Sequence, residues 1–356
     1  MIYGRAHSGK TKYILNMAKK LFDEGKPLII IVPEQFTHLA EKRLISQVGL
    51  ILEGRAEVLS FKRLANLVNA SYPSNKKRIN SVAKSLIMSE VIAKTELMYY
   101  KNVSYDTGFI NECINEISEF KKYNYSCEDV FKLSREVEDK GLSLKLSDLA
   151  KVYSKYEDVI SADYADSDDE LGILADNLDK YKPYGEYTFI FDEFSSFNPI
   201  EKKIISSLAS QCENVFMTFC ADTNEKYKYL FKPTLDTALS VKKVCEDNGC
   251  KVLSDVVLDK TYYENEQISF LEENLFSFPS KCYEGVPERI SVSTPENPFD
   301  EITQLACKIK KLVMENNIRY RDISVICSDI SSYSHIFRSV FSSFDIPYFV
   351  DEKTHV

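Results

Sequence analysis

The residues at the start of the chain have the types and the spacing needed to hold a phosphate chain. The segment GRAHSGKT fits the pattern G-x-x-x-x-G-K-(S/T) between a short apolar segment and a helical pattern. Glycines let main-chain N–H groups curl around phosphate oxygens, the lysine reaches the β and γ phosphates, and the hydroxyl ligates Mg²⁺. We therefore predict a P-loop that binds ATP and Mg²⁺. The predicted nucleotide-binding residues are Gly4, Arg5, Ala6, His7, Ser8, Gly9, Lys10 and Thr11.

A pair of acidic residues after an apolar run is the second candidate for chemistry. Asp192 and Glu193 directly follow the segment YTFIF. In P-loop proteins a carboxylate at the end of a buried strand holds magnesium through water, and a second one can polarise an attacking water. We predict Thr11 and Asp192 as the metal site and Glu193 as the catalytic base. The alternative is that Glu193 only caps a loop or forms an ion pair.

The elements that must position these residues follow from the hydrophobic pattern. Residues 1–3 predict a strand, residues 11–22 an amphipathic helix, and the apolar run 27–33 a strand buried on both faces. A helix at 40–48, a strand at 56–60 and a helix from 61 continue the alternation, and two more strands are predicted at 187–193 and 214–220. This order predicts an α/β fold with a doubly wound parallel sheet.

The pattern changes twice further along the chain. From about 75 to 166 it is helical, which indicates an inserted helical region, and residues 225–285 give no clear pattern. After a proline-rich linker, strands predicted at 290–292, 323–327 and 347–350 and helices at 300–315 and 333–344 begin a second α/β unit. Two or three strands are too few to close a core, so we expect the sequence to be a piece of a longer protein.

Composition limits the class of protein. The net charge of −9 over 356 residues argues against strong non-specific nucleic-acid binding by this chain alone, although a local groove can still be basic. The nine cysteines form no C-x-x-C pair, so a zinc site has little support and reduced thiols are expected. No apolar run approaches the roughly 20 residues of a membrane span, and a secretory signal is not apparent. We expect a cytoplasmic protein without membrane contact.

Two further strand ends carry residues that suit nucleic-acid contact. Gln35, Phe36 and Thr37 follow the second strand, and Ser60 and Phe61 follow the third, on the same edge of the sheet as the phosphate loop. Aromatic and polar side chains in such positions can contact bases or sugars. We predict these five residues as DNA-binding. The alternatives are core packing of Phe36 and helix capping by Ser60.

The order of these motifs resembles the AddB subunit family of the bacterial AddAB helicase–nucleases. The resemblance rests on GRAHSGKT, IIIVPEQFTHLAEKRL, VLSFKRLANLV and GFINECINEISEFKKY, and later on FIFDEFSSFNPIEKKII and YRDISVICSD. PEQFT directly after a P-loop unit is the most specific part. The resemblance extends through nearly the whole chain, but residues 225–285 contribute little to it.

The resemblance implies an architecture similar to superfamily 1 helicases. The first RecA-like domain would be residues 1–74 and 176–285, the helical insertion 75–175 its 1B subdomain, and 286–356 the start of a second RecA-like domain. Family members process double-strand DNA ends for recombination, in a heterodimer with an AddA-type motor and nuclease subunit. Their nuclease domain and its 4Fe–4S cluster belong to a C-terminal part, so we expect neither within this sequence.

Two departures bear on activity. His7 places a bulky ring in the loop, and Ser328 stands near the end of the strand where motor subunits carry an arginine for the γ-phosphate. Such an arginine contributes several orders of magnitude in rate, so we expect at most weak ATPase activity from this chain alone. The competing hypothesis is a scaffold with a vestigial nucleotide site that guides DNA and binds the motor subunit. An independent small-molecule kinase or NTPase fits the helical insertion and incomplete second unit poorly.

Overall fold

The structure, a computed structural model, describes residues 1–49, 55–72, 77–103, 106–165 and 169–351. It has two compact units, Met1–Lys281 and Cys282–Val356. The strands are β1 (Ile2–Gly4), β2 (Leu28–Ile31), β3 (Ala56–Leu59), β4 (Lys77–Arg78), β5 (Tyr164–Ala165), β6 (Thr188–Phe191), β7 (Asn214–Cys220) and β8 (Val256–Leu258). The helices are α1 (Lys10–Asp23), α2 (Thr37–Val48), α3 (Phe61–Ser71), α4 (Ser81–Ala93), α5 (Thr107–Lys122), α6 (Cys127–Glu136), α7 (Lys140–Asp163), α8 (Glu170–Tyr181), α9 (Pro199–Ala209), α10 (Lys228–Asp247), α11 (Glu266–Asn274), α12 (Pro298–Asn316) and α13 (Ile330–Ser343).

A parallel sheet organises the first unit. Its strand order is β3-β2-β6-β7-β1-β8, and each neighbouring pair runs parallel. Successive side chains of a strand point to opposite faces. Ile29 and Ile31 therefore pack in one core with residues of α3, α8, α9 and α10, whereas Leu28 and Ile30 pack in another with residues of α1 and α2. Helices on both faces of a parallel sheet confirm the predicted RecA-like α/β fold.

The predicted elements around the loop are present within a few residues of their expected ends. The segment 225–285, which sequence periodicity left open, contains α10, β8 and α11. β8 adds the sixth strand and pairs with β1, with Val256 opposite Ile2. It has only three residues and is partly exposed at the edge of the sheet, so its sequence is too short to show a strand pattern.

The inserted region has a core of its own. Helices α4, α5, α6 and α7 pack around Met88, Ile117, Val130 and Tyr156. Its described secondary structure consists of helices apart from the two-residue pairing of β4 with β5. Leu174, Ala175 and Leu178 of α8 lie in the core of the sheet, so α8 packs on the sheet on both sides of the predicted boundary at 176. The other predicted boundary, between 74 and 75, lies outside the described residues.

The second unit corrects part of the sequence-based prediction. Helices α12 and α13 are present as predicted and pack through residues such as Ile309 and Phe341. The strands predicted at 290–292, 323–327 and 347–350 are not formed in the described part of this unit. A strand needs a hydrogen-bonded neighbour, whereas Val292, Ile326 and Phe349 are 90%, 96% and 89% exposed. The apolar pattern was therefore insufficient to predict a sheet, and the assignment of this unit to a second RecA-like domain stays a prediction.

The unit division after Lys281 lies close to the predicted start of the second domain at 286. Within the described ranges, no helix combines the length and the hydropathy needed to cross a membrane.

Candidate nucleotide-binding site

The carboxyl ends of the parallel strands meet along one edge of the sheet. β1 leads into the predicted phosphate loop, and β6 leads into Asp192. β7 lies between these two strands. The two predicted halves of the site are therefore on strands separated by a single neighbour.

Two glycines shape the loop between β1 and α1. A Cβ atom on Gly4 would lie 2.2 Å from Ser8 Oγ, so this close approach requires glycine. Gly9, the N-cap of α1, has a φ of 85°, in the left-handed region that glycine adopts without strain. The loop thus folds back to the N-terminus of α1, where exposed N–H groups and the helix dipole favour an anion.

Lys10 and Ser8 carry the polar atoms that fit a phosphate group. Lys10 Nζ donates hydrogen bonds to Gly4 O at 2.7 Å and to Arg5 O at 2.8 Å. An ammonium group has three donors, so a further one is available to a ligand. Ser8 Oγ is buried and has no hydrogen-bond partner among the described residues. A buried hydroxyl without a hydrogen-bond partner costs free energy. An oxyanion bound in the loop would accept a hydrogen bond from this hydroxyl.

The His7 ring packs against an aromatic side chain from the segment that follows β8. His7 has a φ of 56°, and its ring centroid lies 4.6 Å from that of Tyr263. The carbonyl oxygen of His7 accepts a hydrogen bond from Tyr262 N at 2.9 Å. The bulky loop residue noted in the sequence therefore has a packing partner at the side of the loop.

The Arg5 side chain forms ion pairs instead of facing the cavity. Its Nε lies 3.6 Å from Asp222 Oδ2 and 3.5 Å from Glu272 Oε1, and its guanidinium carbon lies 4.9 Å from the centre of the Tyr227 ring. The side chain is 11% exposed. Of the predicted nucleotide-binding residues, Arg5 is therefore placed to contribute its backbone.

The carboxylates after β6 have distinct environments. Asp192 is 9% exposed, and Thr218 Oγ1 on β7 donates a hydrogen bond to its Oδ1. This bond orients the carboxylate. The pKa of Glu193 is raised because burial and the neighbouring charge of Asp192 disfavour its charged form, against the opposing charges of Arg43 and Lys10. A raised pKa brings a carboxylate closer to the value that suits a general base near neutral pH.

The two halves of the site line the same cavity. It has a volume of about 1050 Å³, which suffices for a nucleotide. Its lining includes residues 6–11 of the loop together with Asp192 and Glu193. The structure thus brings six of the eight predicted nucleotide-binding residues together with the predicted metal and catalytic residues.

Three residues of the cavity were missed by the sequence analysis. They are Arg43 on α2, Thr218 on β7 and Tyr262 after β8. Thr218 had a local signal, because its hydroxyl interrupts the apolar run FMTFC. Arg43 and Tyr262 had none, because only the tertiary fold brings them to the loop.

We expect a Thr218→Val substitution to weaken Mg²⁺ binding at the site by about tenfold, the size typical of losing a hydrogen bond to a metal-binding group. The measurement is the Mg²⁺ concentration needed for half-maximal ATP binding. Thr188→Val is the matched control, since Thr188 Oγ1 is equally buried but has no partner among the described residues and lies at the start of β6. An unchanged Mg²⁺ requirement in Thr218→Val would contradict this role.

The five predicted DNA-binding residues differ in accessibility. Gln35 is exposed and Phe36 is 37% exposed. Thr37 is buried, and its Oγ1 donates to Glu34 O at 2.9 Å. Gln35 and Phe36 therefore remain the accessible candidates after β2.

The two predicted residues after β3, Ser60 and Phe61, already make contacts within the protein. Ser60 caps α3, since its Oγ accepts a hydrogen bond from Arg63 N at 3.2 Å, and it also donates to the Glu34 carboxylate. Phe61 is 6% exposed, with ring centroids 5.8 Å from Phe191 and 5.6 Å from Phe194. The capping alternative for Ser60 is confirmed. The prediction that Phe61 contacts DNA conflicts with its burial, because its ring packs into the core beside the strand end.

Known proteins of similar sequence cover the whole chain. The sequence model of the family described as "ADDB, N-terminal" matches residues 1–272. The chain is 34% identical over 369 aligned residues to a subunit of the ATP-dependent helicase/deoxyribonuclease of Clostridium botulinum (strain Loch Maree), with 100% of this chain and 32% of the relative covered. It is 34% identical over 367 residues to the protein of the same name from Caldanaerobacter subterraneus subsp. tengcongensis, again with 100% and 32% covered. The chain thus spans about a third of the length of these curated relatives. It belongs to the AddB family and matches the N-terminal region of that family.

Proposed function

We propose that this chain is the ATP-binding, DNA-contacting helicase-like part of an AddB-type subunit, in a complex that processes double-strand DNA ends for recombinational repair. The observation that carries the nucleotide proposal is the shared cavity lined by Lys10, Thr11 and Asp192. The names of the relatives, which describe an ATP-dependent helicase and deoxyribonuclease, support the wider assignment.

The strand order suggests how a nucleotide would be oriented. Along the edge of the sheet, Tyr262 follows the terminal strand β8, the loop follows β1, and Asp192 follows β6. Tyr262 is 67% exposed and lines the cavity beside Gly9. Exposed aromatic rings stack well on nucleobases. We therefore place the base near Tyr262 and the triphosphate along the loop toward Asp192.

Each residue of the cavity then has a chemical role. The loop amides and Lys10 would hold the phosphates, and Thr11 and Asp192 would hold Mg²⁺, which supplies charge neutralisation when bound. Glu193 would accept a proton from water. Turnover by the chain alone should be slow, because Ser328 stands where the sequence predicts the γ-phosphate arginine of motor subunits.

DNA contact is proposed at the accessible residues Gln35 and Phe36, with an AddA-type subunit as the heterodimer partner. The net charge of −9 makes strong DNA binding by this chain alone unfavourable. The second candidate function is a scaffold whose nucleotide site is vestigial, and the contacts that Arg5 and Lys10 make within the protein are compatible with it.

Calorimetric titration of the chain with ATP separates these two functions. We expect saturable binding of one ATP per chain in the micromolar to millimolar range when Mg²⁺ is present, and weaker binding in EDTA, because Asp192 and Thr11 act through the metal. A folded chain that binds no ATP under either condition would exclude the ATP-binding proposal and favour the scaffold.

A further inference from the structure

Arg43 is a positively charged residue that lines the nucleotide cavity, and the proposed function has so far assigned it no role. It lies on α2, and its side chain is 43% exposed. Its Nη1 is 3.9 Å from Glu193 Oε1, and it lines the cavity together with Lys10 and Thr11. An arginine here is therefore available to a ligand that also contacts the loop.

Along the row of strand ends, Arg43 and Tyr262 lie on opposite sides of the phosphate loop and Asp192. Tyr262 follows β8 at one edge of the sheet, whereas Arg43 is on the helix that follows β2, beyond β6 and Asp192. A nucleotide with its base near Tyr262 and its phosphates on the loop would direct its terminal phosphate toward Asp192, Glu193 and Arg43. A nucleoside diphosphate would end short of this group.

Electrostatics favour such a contact. Apart from histidine, the cations that line the cavity in the described residues are Lys10, Lys12 and Arg43. Lys10 begins α1 and its side chain contacts the loop, whereas Lys12 is exposed on α1. A terminal phosphate beside Asp192 and Glu193 would add negative charge where two carboxylates already lie. Arg43 is placed to offset that charge, and a guanidinium can bind a phosphate through two parallel hydrogen bonds.

We propose that Arg43 recognises the terminal phosphate of a bound nucleoside triphosphate by exchanging its ion pair with Glu193 for that phosphate. This inference rests on the proposed nucleotide site. The exchange is inexpensive, because an ion pair of 3.9 Å between side chains that are 43% and 42% exposed contributes little.

The test compares triphosphate and diphosphate binding in one variant. We expect Arg43→Gln to raise the Kd for Mg-ATP by about tenfold, as loss of one charged hydrogen-bonding contact predicts, and the Kd for Mg-ADP by less than about twofold. Calorimetry gives both constants. Arg63→Gln is the matched control, because Arg63 Nε is also 3.9 Å from a glutamate, Glu34 Oε1, and is 50% exposed but does not line the cavity.

The outcomes distinguish this inference from the proposed function. Equal Kd changes for ATP and ADP in Arg43→Gln, or no change in either, would overturn the role of Arg43 while leaving the nucleotide site in place. Failure of the unaltered chain to bind either nucleotide would instead overturn the proposed site. Thermal unfolding of both variants shows whether a lost affinity reflects a lost fold.

Discussion

Replacement of Lys10 by alanine is expected to weaken Mg-ATP binding by at least about a hundredfold, the loss typical of removing a charged donor from a partly buried ionic contact. In the structure, Lys10 Nζ is held over the loop by the carbonyl oxygens of Gly4 and Arg5. It is thus already positioned where phosphate oxygens would meet it. The fold should persist, because β1 and α1 are held mainly by the cores on the two faces of the sheet.

The measurement is calorimetric titration with Mg-ATP, accompanied by thermal unfolding of the same sample. Lys19→Ala provides the control, since Lys19 lies exposed on the same helix and its loss changes the net charge equally. Wild-type affinity in a folded Lys10→Ala variant would show that ATP binds elsewhere, or that the loop does not hold phosphate. Similar losses in both variants would indicate a general charge effect.

The parts of this site that sequence predicted are those encoded within a few consecutive residues. The loop needs glycines at fixed positions and a lysine at the start of a helix, so its geometry is largely local. Asp192 and Glu193 can be predicted because the buried strand before them is encoded as an apolar run. The relation between the two motifs then followed from a general rule, that the carboxyl ends of parallel strands share one edge.

The parts that sequence missed depend on tertiary contacts. Arg43 and Tyr262 reach the cavity from α2 and from the segment after β8, and neither neighbourhood has a distinctive pattern. Phe61 shows the opposite case, a residue that the sequence predicts to be functional but that the fold buries. Its place after a strand made it a candidate for DNA contact, but Phe191 and Phe194 enclose its ring in the core. Position along an edge can be predicted from sequence, whereas the direction of an aromatic side chain depends on its neighbours.

Strand predictions show the same limit at a larger scale. The central strands were predicted because both of their faces are buried and their residues are uniformly apolar. β8 escaped prediction because it is short and partly exposed at the edge. In the second unit, apolar runs such as that around Ile326 lack the hydrogen-bonded neighbours, among the described residues, that would make them strands. A hydrophobic pattern therefore identifies candidate strands, and hydrogen-bond pairing with a neighbouring strand decides which of them form.

Replacement of Gly4 by alanine is expected to destabilise the first unit by about 1–3 kcal/mol, the usual cost of adding a methyl group to a packed site. The new Cβ atom would lie 2.2 Å from Ser8 Oγ, 2.9 Å from Ser8 Cβ and 3.2 Å from Leu258 Cβ. Rotation of the Ser8 side chain can relieve only the first contact, because the Cβ of Ser8 is fixed by the backbone. The loop must therefore move away from β1, and Mg-ATP affinity should fall by at least about thirtyfold, as expected when several phosphate contacts are misplaced together.

Gly172→Ala separates this effect from the general cost or gain of removing a glycine. Gly172 lies in α8, and an added Cβ atom there meets nothing within 4 Å, so alanine should stabilise the unit by about 0.5–1 kcal/mol through helix propensity. Chemical denaturation and ATP titration of both variants give the two quantities. The decisive comparison is affinity at a temperature where both variants are folded. If Gly4→Ala is destabilised but still binds Mg-ATP as tightly as the unaltered chain, the close approach of Gly4 to Ser8 serves folding alone, and the loop does not require this conformation to hold phosphate.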